Sequence, residues 1–236
     1  MTKARIGALF LLLAAVGAAT FALARGEEQE RRGVKPVLML LTSLPLVFGE
    51  EFSIDQKGSS TLGALRSRYR VVPVDVTDSA TLAKGSLLMM AQPRAQTADN
   101  LVALDDWVRR GGRVLLFADP LLEWPSDKPL GDPTRPPRMF ADTGLLGHWG
   151  LRLDAPDTRG PVDRTIGSKT VLTVSPGSLA GSCAIDRGGL VARCNVGKGT
   201  AIIVADADLL DVDGLGDGAA NNVQAVLAQL DSVESR

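Results

Sequence analysis

Histidine occurs once in the 236 residues, at position 148. That scarcity excludes zinc sites built on imidazole and leaves a nucleophilic hydrolase with a single candidate base. His148 itself stands in Gly147-His148-Trp149-Gly150 at the end of an expected helix, where packing or capping is the commoner role. Aromatic residues are only 4% of the chain, too few for a platform on which bases or sugars stack. Neither sign of charge is in excess: 26 basic against 27 acidic side chains give a formal net charge of -1, and no run of Lys or Arg exceeds two residues. A nucleic-acid surface therefore has no electrostatic support. Missing too are a Gly-x-Ser-x-Gly or Gly-x-Cys-x-Gly elbow and, after the first apolar run, a dinucleotide-binding glycine fingerprint.

What is present begins with a long apolar run. Lys3 and Arg5 precede nineteen apolar or small residues, Ile6 to Ala24, broken only by Thr20. In helix this length approaches a hydrocarbon core of roughly 30 Å, which favours a retained signal anchor over a shorter signal-peptide core. Ala22-Leu23-Ala24 also fits the small-x-small pattern of a cleavage site, so residues 1–24 are read as signal anchor or signal peptide. The short N-terminus favours an N-in orientation. Arg25 to Gly33 is a charged linker, and residues 34–236 form the expected extracytoplasmic domain. The expected location is the inner membrane, single-pass, with the domain in the periplasm; the alternative is secretion to the periplasm after cleavage.

Two cysteines bear on the compartment. Counting outward from Gly188-Gly189 as a two-residue hairpin loop pairs 187 with 190 and brings Cys183 opposite Cys194, as a hydrogen-bonded pair. The spacing suits a disulfide, and hence an oxidising compartment, with two small core thiols as the alternative.

Along the domain, Pro36 to Leu41, Arg70 to Val74, Ser86 to Ala91 and Val114 to Ala118 are apolar runs without alternation, as expected of strands buried on both faces. Gly58 to Tyr69 and Thr97 to Arg110 have helical spacing, the second with Thr97 as N-cap and Gly111-Gly112 as stop. The order implies an α/β fold, a mostly parallel sheet flanked by helices with a β-hairpin near the C-terminus. Asp119 to Arg138 is a Pro-rich loop; Met139 to Trp149 is an expected short helix, Leu151 to Leu153, Thr170 to Val174 and Thr200 to Ala205 are β structure, and Asn221 to Leu230 is a closing helix. No internal repeat is present.

Ligands of open parallel sheets bind beyond the carboxyl ends of the strands. The loops there offer Thr42 and Ser43 before Leu44 to Glu51, Gln92-Pro93-Arg94, Asp119-Pro120 with Trp124 beyond it, and Asp206 and Asp208 in an acidic stretch continuing through Asp211, Asp213 and Asp217. Thr42, Ser43, Asp119, Trp124, Asp206 and Asp208 are the candidate binding residues. Gln92-Pro93 and Asp119-Pro120 read most simply as strand terminators, and the acidic stretch as a helix entry or a solvated loop, since its spacing departs from the EF-hand pattern. No catalytic residue, metal or cofactor is assigned. A hydrolase using Ser43 or an aspartate pair is the most distant alternative.

Two segments resemble a known family. Gln92 to Pro120, a Pro turn, a helix ending in Gly111-Gly112 and a strand ending in Asp119-Pro120, resembles the signature of the gliding-motility-type ABC transporter auxiliary family. Gly197-Lys198-Gly199, an apolar strand and Asp206-Ala207-Asp208 are similar to that domain's close. The resemblance implies a flavodoxin-like or class I glutamine-amidotransferase-like domain without catalytic residues, which accompanies an ABC permease and its ATPase. It makes the expected function a non-enzymatic, membrane-tethered accessory role exercised through protein contact. A periplasmic module binding a small molecule or glycan is the alternative. Family members are commonly longer and often carry a C-terminal membrane span, whereas this chain ends in Asp231-Ser232-Val233-Glu234-Ser235-Arg236 after a soluble helix.

Overall fold

The computed structural model describes residues 35–47, 58–129 and 131–235. The anchor and the charged linker expected over residues 1–33 lie outside the described residues, as does the end of the first strand-end loop. Among the described residues no helix is long and apolar enough to cross a membrane.

Eleven strands are described: β1 (Val37–Thr42), β2 (Arg70–Val74), β3 (Leu87–Ala91), β4 (Arg113–Phe117), β5 (Leu151–Asp154), β6 (Pro161–Ile166), β7 (Lys169–Val174), β8 (Ser178–Gly181), β9 (Ala184–Ile185), β10 (Val191–Val196) and β11 (Gly199–Val204). The helices are α1 (Ser60–Arg68), α2 (Ser79–Leu82), α3 (Ala98–Arg109), α4 (Leu145–His148), α5 (Val212–Leu215) and α6 (Asn222–Glu234). The central sheet has the order β2-β1-β3-β4-β11-β10-β9. From β2 to β11 every pairing is parallel, and β10 and β9 extend the edge antiparallel. All five residues of β3 and all six of β11 are buried, as their continuous apolar sequence requires. Helix α6 packs on β4 and β11 and meets α1, whereas α3 packs on β10 and β11 and meets α2. Right-handed crossovers place these two pairs on opposite faces, because the chain steps one way from β1 to β2 and the other way thereafter. The order thus reverses at β1 and β3, which creates a switch point at their carboxyl ends.

Caps and glycines fit these elements to their sequence. Ser59, Asp78 and Thr97 accept from the amides of Leu62, Thr81 and Asn100 at the starts of α1, α2 and α3. A Cβ at Gly112 would lie 2.3 Å from the Trp107 ring, and one at Gly199 2.1 Å from the Val108 carbonyl oxygen, so α3 approaches β4 and β11 only across bare backbone.

Several expectations need correction. Helix α2 and strands β6 and β8 are additional to those expected, and of Met139 to Trp149 only Leu145–His148 is helical, with Met139 66% exposed in the preceding loop. The closing helix runs on to Glu234. Strands β5 and β8 form one small antiparallel sheet and β6 and β7 another, both inserted between β4 and β11.

Cys183 and Cys194 form a disulfide with Cα atoms 4.8 Å apart. The register is the expected one, since Ala184 opposes Arg193 and Ile185 opposes Ala192. The turn is not. Asp186 donates its amide to the Val191 carbonyl, and its own carbonyl accepts from Gly189, so the loop is four residues, 187–190. Leu190, drawn into the core, gives its amide to the Asp186 carboxylate. With 186 and 191 as the hydrogen-bonded pair, 183 and 194 fall in the closer, non-hydrogen-bonded class, opposite to the sequence-based expectation and consistent with the short Cα separation.

Candidate functional site

At the switch point the two hydroxyls serve the backbone. Thr42 Oγ1 donates to the Ala91 carbonyl at 3.0 Å and accepts from the Leu44 amide at 2.9 Å, and Ser43 Oγ donates to the Gln92 carbonyl. They lace the end of β1 to the end of β3, which is ordinary turn chemistry.

Past β3 and β4 the carboxyl edge becomes a buried polar node. Gln92, fully buried with φ 43°, holds the backbone of Asp119 at both ends: its Oε1 accepts the Asp119 amide at 2.9 Å, and its Nε2 donates to the Asp119 carbonyl at 3.1 Å. The same Nε2 reaches the Pro137 carbonyl. Asp119 accepts from the Leu121 amide at 2.8 Å on Oδ1 and from the Ala207 amide at 2.7 Å on Oδ2. Asp206 accepts from Leu209 and Val174, at 2.7 and 2.9 Å, on its two oxygens. Asp208 Oδ2 takes the Glu123 amide at 2.8 Å, while Ser175 Oγ donates to Glu123 Oε1 at 2.5 Å. Gln92 and Ser175 are the non-glycine residues with positive φ among the described residues, and both belong to this node, where surrounding bonds over-determine the backbone.

Burial dominates the electrostatics here. Asp119 and Asp206 are fully buried and Asp208 is 3% exposed. Desolvation raises Asp119 to about 6, against the lowering effect of its backbone amide donors, and raises Asp208 to about 7. Asp206 is also raised, by burial and then by the charge of Asp119. Asp211, Asp213 and Asp217 fit the expectation: Asp211 caps α5 through the Gly214 amide, and exposed Asp213 and Asp217 stand in first helical turns. Asp206 and Asp208 are therefore not a solvated acidic loop; they bind the Pro-rich loop and the end of β7 to the end of β11. Because both oxygens of Asp119 and of Asp206 receive backbone N–H groups, neither is disposed as a free acid or base. Among the described residues no group of three or more His, Cys, Asp or Glu could hold a metal ion.

The expected binding residues thus divide. Asp119, Asp206 and Asp208 come together, and Thr42 and Ser43 stand apart at the end of β1, with β3 between it and β4. Trp124 lines an adjoining groove of about 240 Å³ in the Pro-rich loop, with Glu123 of the node, Pro125, Arg135, Pro136 and Arg138. A second groove of about 350 Å³ shares Arg135, Pro136 and Arg138 and adds Arg94, Asp132 and Pro137. The loop is cross-braced: Leu122 donates to the Arg138 carbonyl at 2.8 Å, Phe140 to that of Asp119 at 2.7 Å, and Arg94 to that of Arg135 at 2.9 Å. The sequence-based candidates omit Gln92, Glu123 and Ser175 of the node and the arginines of the grooves. The available signal was Arg135-Pro136-Pro137-Arg138, two cations on a stretch whose prolines pre-set the backbone.

His148 is exposed at the end of α4 and lies 3.3 Å from Asp105, which also accepts from Arg109 at 2.6 Å and from the Trp149 indole at 2.9 Å. It forms part of a surface brace between α3 and α4.

Comparison with known proteins agrees with the fold. Among solved structures, exo-β-1,4-mannosidase Op5Man5 from Opitutaceae bacterium strain TAV5 is 13% identical with a TM-score of 0.51; the match covers 89% of this chain but 38% of the mannosidase. The cytoplasmic protein STM1381 from Salmonella typhimurium LT2 is 11% identical with a TM-score of 0.52, covering 84% of this chain and 99% of that one. At such identities the likeness concerns fold alone. Curated protein sequences give no match. The family model described as ABC-type uncharacterized transport system, the ABC transporter auxiliary family, matches residues 35–157, from β1 through the Pro-rich loop to the end of β5. This chain belongs to that family.

Proposed function

We propose that the chain is a non-enzymatic, membrane-tethered accessory subunit of an ABC-type transport system, working by protein contact with the permease and ATPase. The observation that carries this reading is the family match, which spans β1 to β4 and the loops that follow them. Two features support it. The carboxylates at that edge are spent on backbone amides instead of being aimed at a substrate. The Cys183–Cys194 disulfide suits an oxidising compartment, and hence an anchored domain on the periplasmic side of the inner membrane. The 2-1-3-4 strand order continuing into β11 supports a flavodoxin-like or class I glutamine-amidotransferase-like domain used as a scaffold.

The test is an affinity pull-down of the tagged full-length protein from native membranes in mild detergent. Permease and ATPase recovered in comparable amounts support the proposal, and recovery of the protein alone overturns it. A second reading, a periplasmic small-molecule or glycan-binding module, has in its favour the Trp124-lined groove of about 240 Å³. Saturable binding in a ligand screen, lost on Trp124→Ala, distinguishes it.

A further inference from the structure

Four exposed arginines of the domain pair with carboxylates: Arg68 with Asp231, Arg109 with Asp105, Arg110 with Asp106 and Arg152 with Asp154. Around the two grooves no arginine does so among the described residues. Among the described residues, Arg94 and Arg135 donate only to backbone carbonyls, of Arg135 and Lys128, and Arg138 is exposed and makes no side-chain hydrogen bond or ion pair. These three guanidiniums face two lining carboxylates, of which Glu123 is engaged by Ser175 and Asp132 by Thr134. Beside them stand Trp124, half-buried on the groove wall, and Met139, 66% exposed and next in sequence to Arg138. Arg with Trp and Met is a side-chain set enriched at protein interfaces. Rigid proline walls at 125, 133, 136 and 137 lower the ordering cost of binding there.

We infer that the grooves around Arg94, Arg135 and Arg138 are the docking surface for an acidic, extended segment of a partner polypeptide. Its carboxylates occupy the guanidiniums, and an apolar side chain lies against Trp124 and Met139. Charge complementarity chooses the occupant: a bare apolar segment would desolvate three cations without bringing a carboxylate to any of them, and a basic one would be repelled. This inference rests on the accessory reading given above, in which contact at the carboxyl edge is the activity.

The experiment places the photocrosslinker p-benzoylphenylalanine at Met139 of the full-length protein in its native membranes and sequences the captured peptide. Val102, 62% exposed on α3, is the control position. The expected result is an adduct at 139 and not at 102, on a peptide of net negative charge. Its yield should fall at least tenfold in Arg138→Glu and be retained in Arg138→Lys. Because Arg138 makes no side-chain bond, the reversal should leave the melting temperature unchanged, which separates lost docking from lost folding. An adduct on a neutral or basic peptide, one insensitive to Arg138→Glu, or none at 139 overturns the inference, as does binding of a small anion such as citrate in place of a polypeptide. Transport subunits that co-purify undiminished with Arg138→Glu would sink the surface and spare the accessory reading. An acidic adduct from a protein outside any transport system would do the reverse.

Discussion

Asp208 should make this protein less stable as pH rises from 5 to 8. In the unfolded chain its carboxyl ionises at about 3.8, and in the folded chain burial holds it up to about 7. Between those values the folded state keeps a proton that the unfolded state has released, so stability is greatest below the lower value and is lost as pH climbs through the upper one. Each unit in that window costs roughly 1.4 kcal/mol, which makes about 2–3 kcal/mol between pH 5 and pH 8. At 3% exposure there is little solvent screening to reduce this. The proton also has a place to sit, since only Oδ2 of Asp208 is engaged, by the Glu123 amide. Asp119, raised to about 6, acts in the same direction, but its charge and that of Asp206 oppose each other, so the contributions do not add. The perturbation is therefore Asp208→Asn, whose carbonyl can still receive the Glu123 amide and whose side chain cannot ionise. Urea unfolding of both proteins at half-unit steps should give a variant whose stability is flatter with pH by those 2–3 kcal/mol and which exceeds the natural protein at pH 8. Taking the difference cancels the titrating groups that do not interact with Asp208; Asp119 and Asp206, relieved of its charge, shift downward in the variant. Parallel pH profiles, or a variant that is weaker at pH 8, would refute the assignment of the proton to this buried carboxyl.

Reducing the disulfide, or replacing both cysteines with serine, should cost about 2–3 kcal/mol in denaturant unfolding, from the loop entropy released over a separation of 11 residues; no change would mean that the hairpin is held by its ladder alone. Gly199→Ala should destabilise by roughly 1–3 kcal/mol or more, because the new methyl would meet the carbonyl oxygens of Val108 and Gly112 at 2.1 and 2.2 Å, both on backbone. Gln92→Leu should orphan the buried amide of Asp119, at roughly 1–3 kcal/mol, and loosen the Pro-rich loop; faster hydrogen exchange around Pro137 is the readout, and exchange confined to Gln92 itself would count against the clasp.

The parts of this architecture that could be read in advance are those whose cause is local. β3 and β11 announce themselves because a strand covered on both faces has no polar position to alternate with. Thr97 and Gly111-Gly112 bracket α3 by cap and stop, both set within a turn of the helix. The cysteine register survived a mistaken turn, because a loop of two residues and one of four share a centre. Where the cause is distant, the chain is silent. Helix α2 is four residues, too short for a period, and β6 carries Asp163 on an exposed face with Pro161 and Thr165, and Arg164, half-buried, on the face of Val162 and Ile166. Asp119 shows the limit most clearly. In sequence Asp119-Pro120 is a polar residue ending a strand, and the same pair at a sheet surface would be no more than that. What makes Asp119 the centre of a node is the amide of Ala207, 88 positions away, and a side-chain amide at Gln92 that reaches its backbone only because Gln92 takes a positive φ. Neither is encoded within a window around residue 119. The grooves follow from the same node, since Gln92 and Asp119 fix Pro137 and Phe140 and thereby set where Arg138 emerges. If that is so, Gln92→Leu should reduce crosslinking at Met139 even though Gln92 is buried and cannot touch a partner; undiminished crosslinking in that variant would mean the proline loop holds its shape without the node.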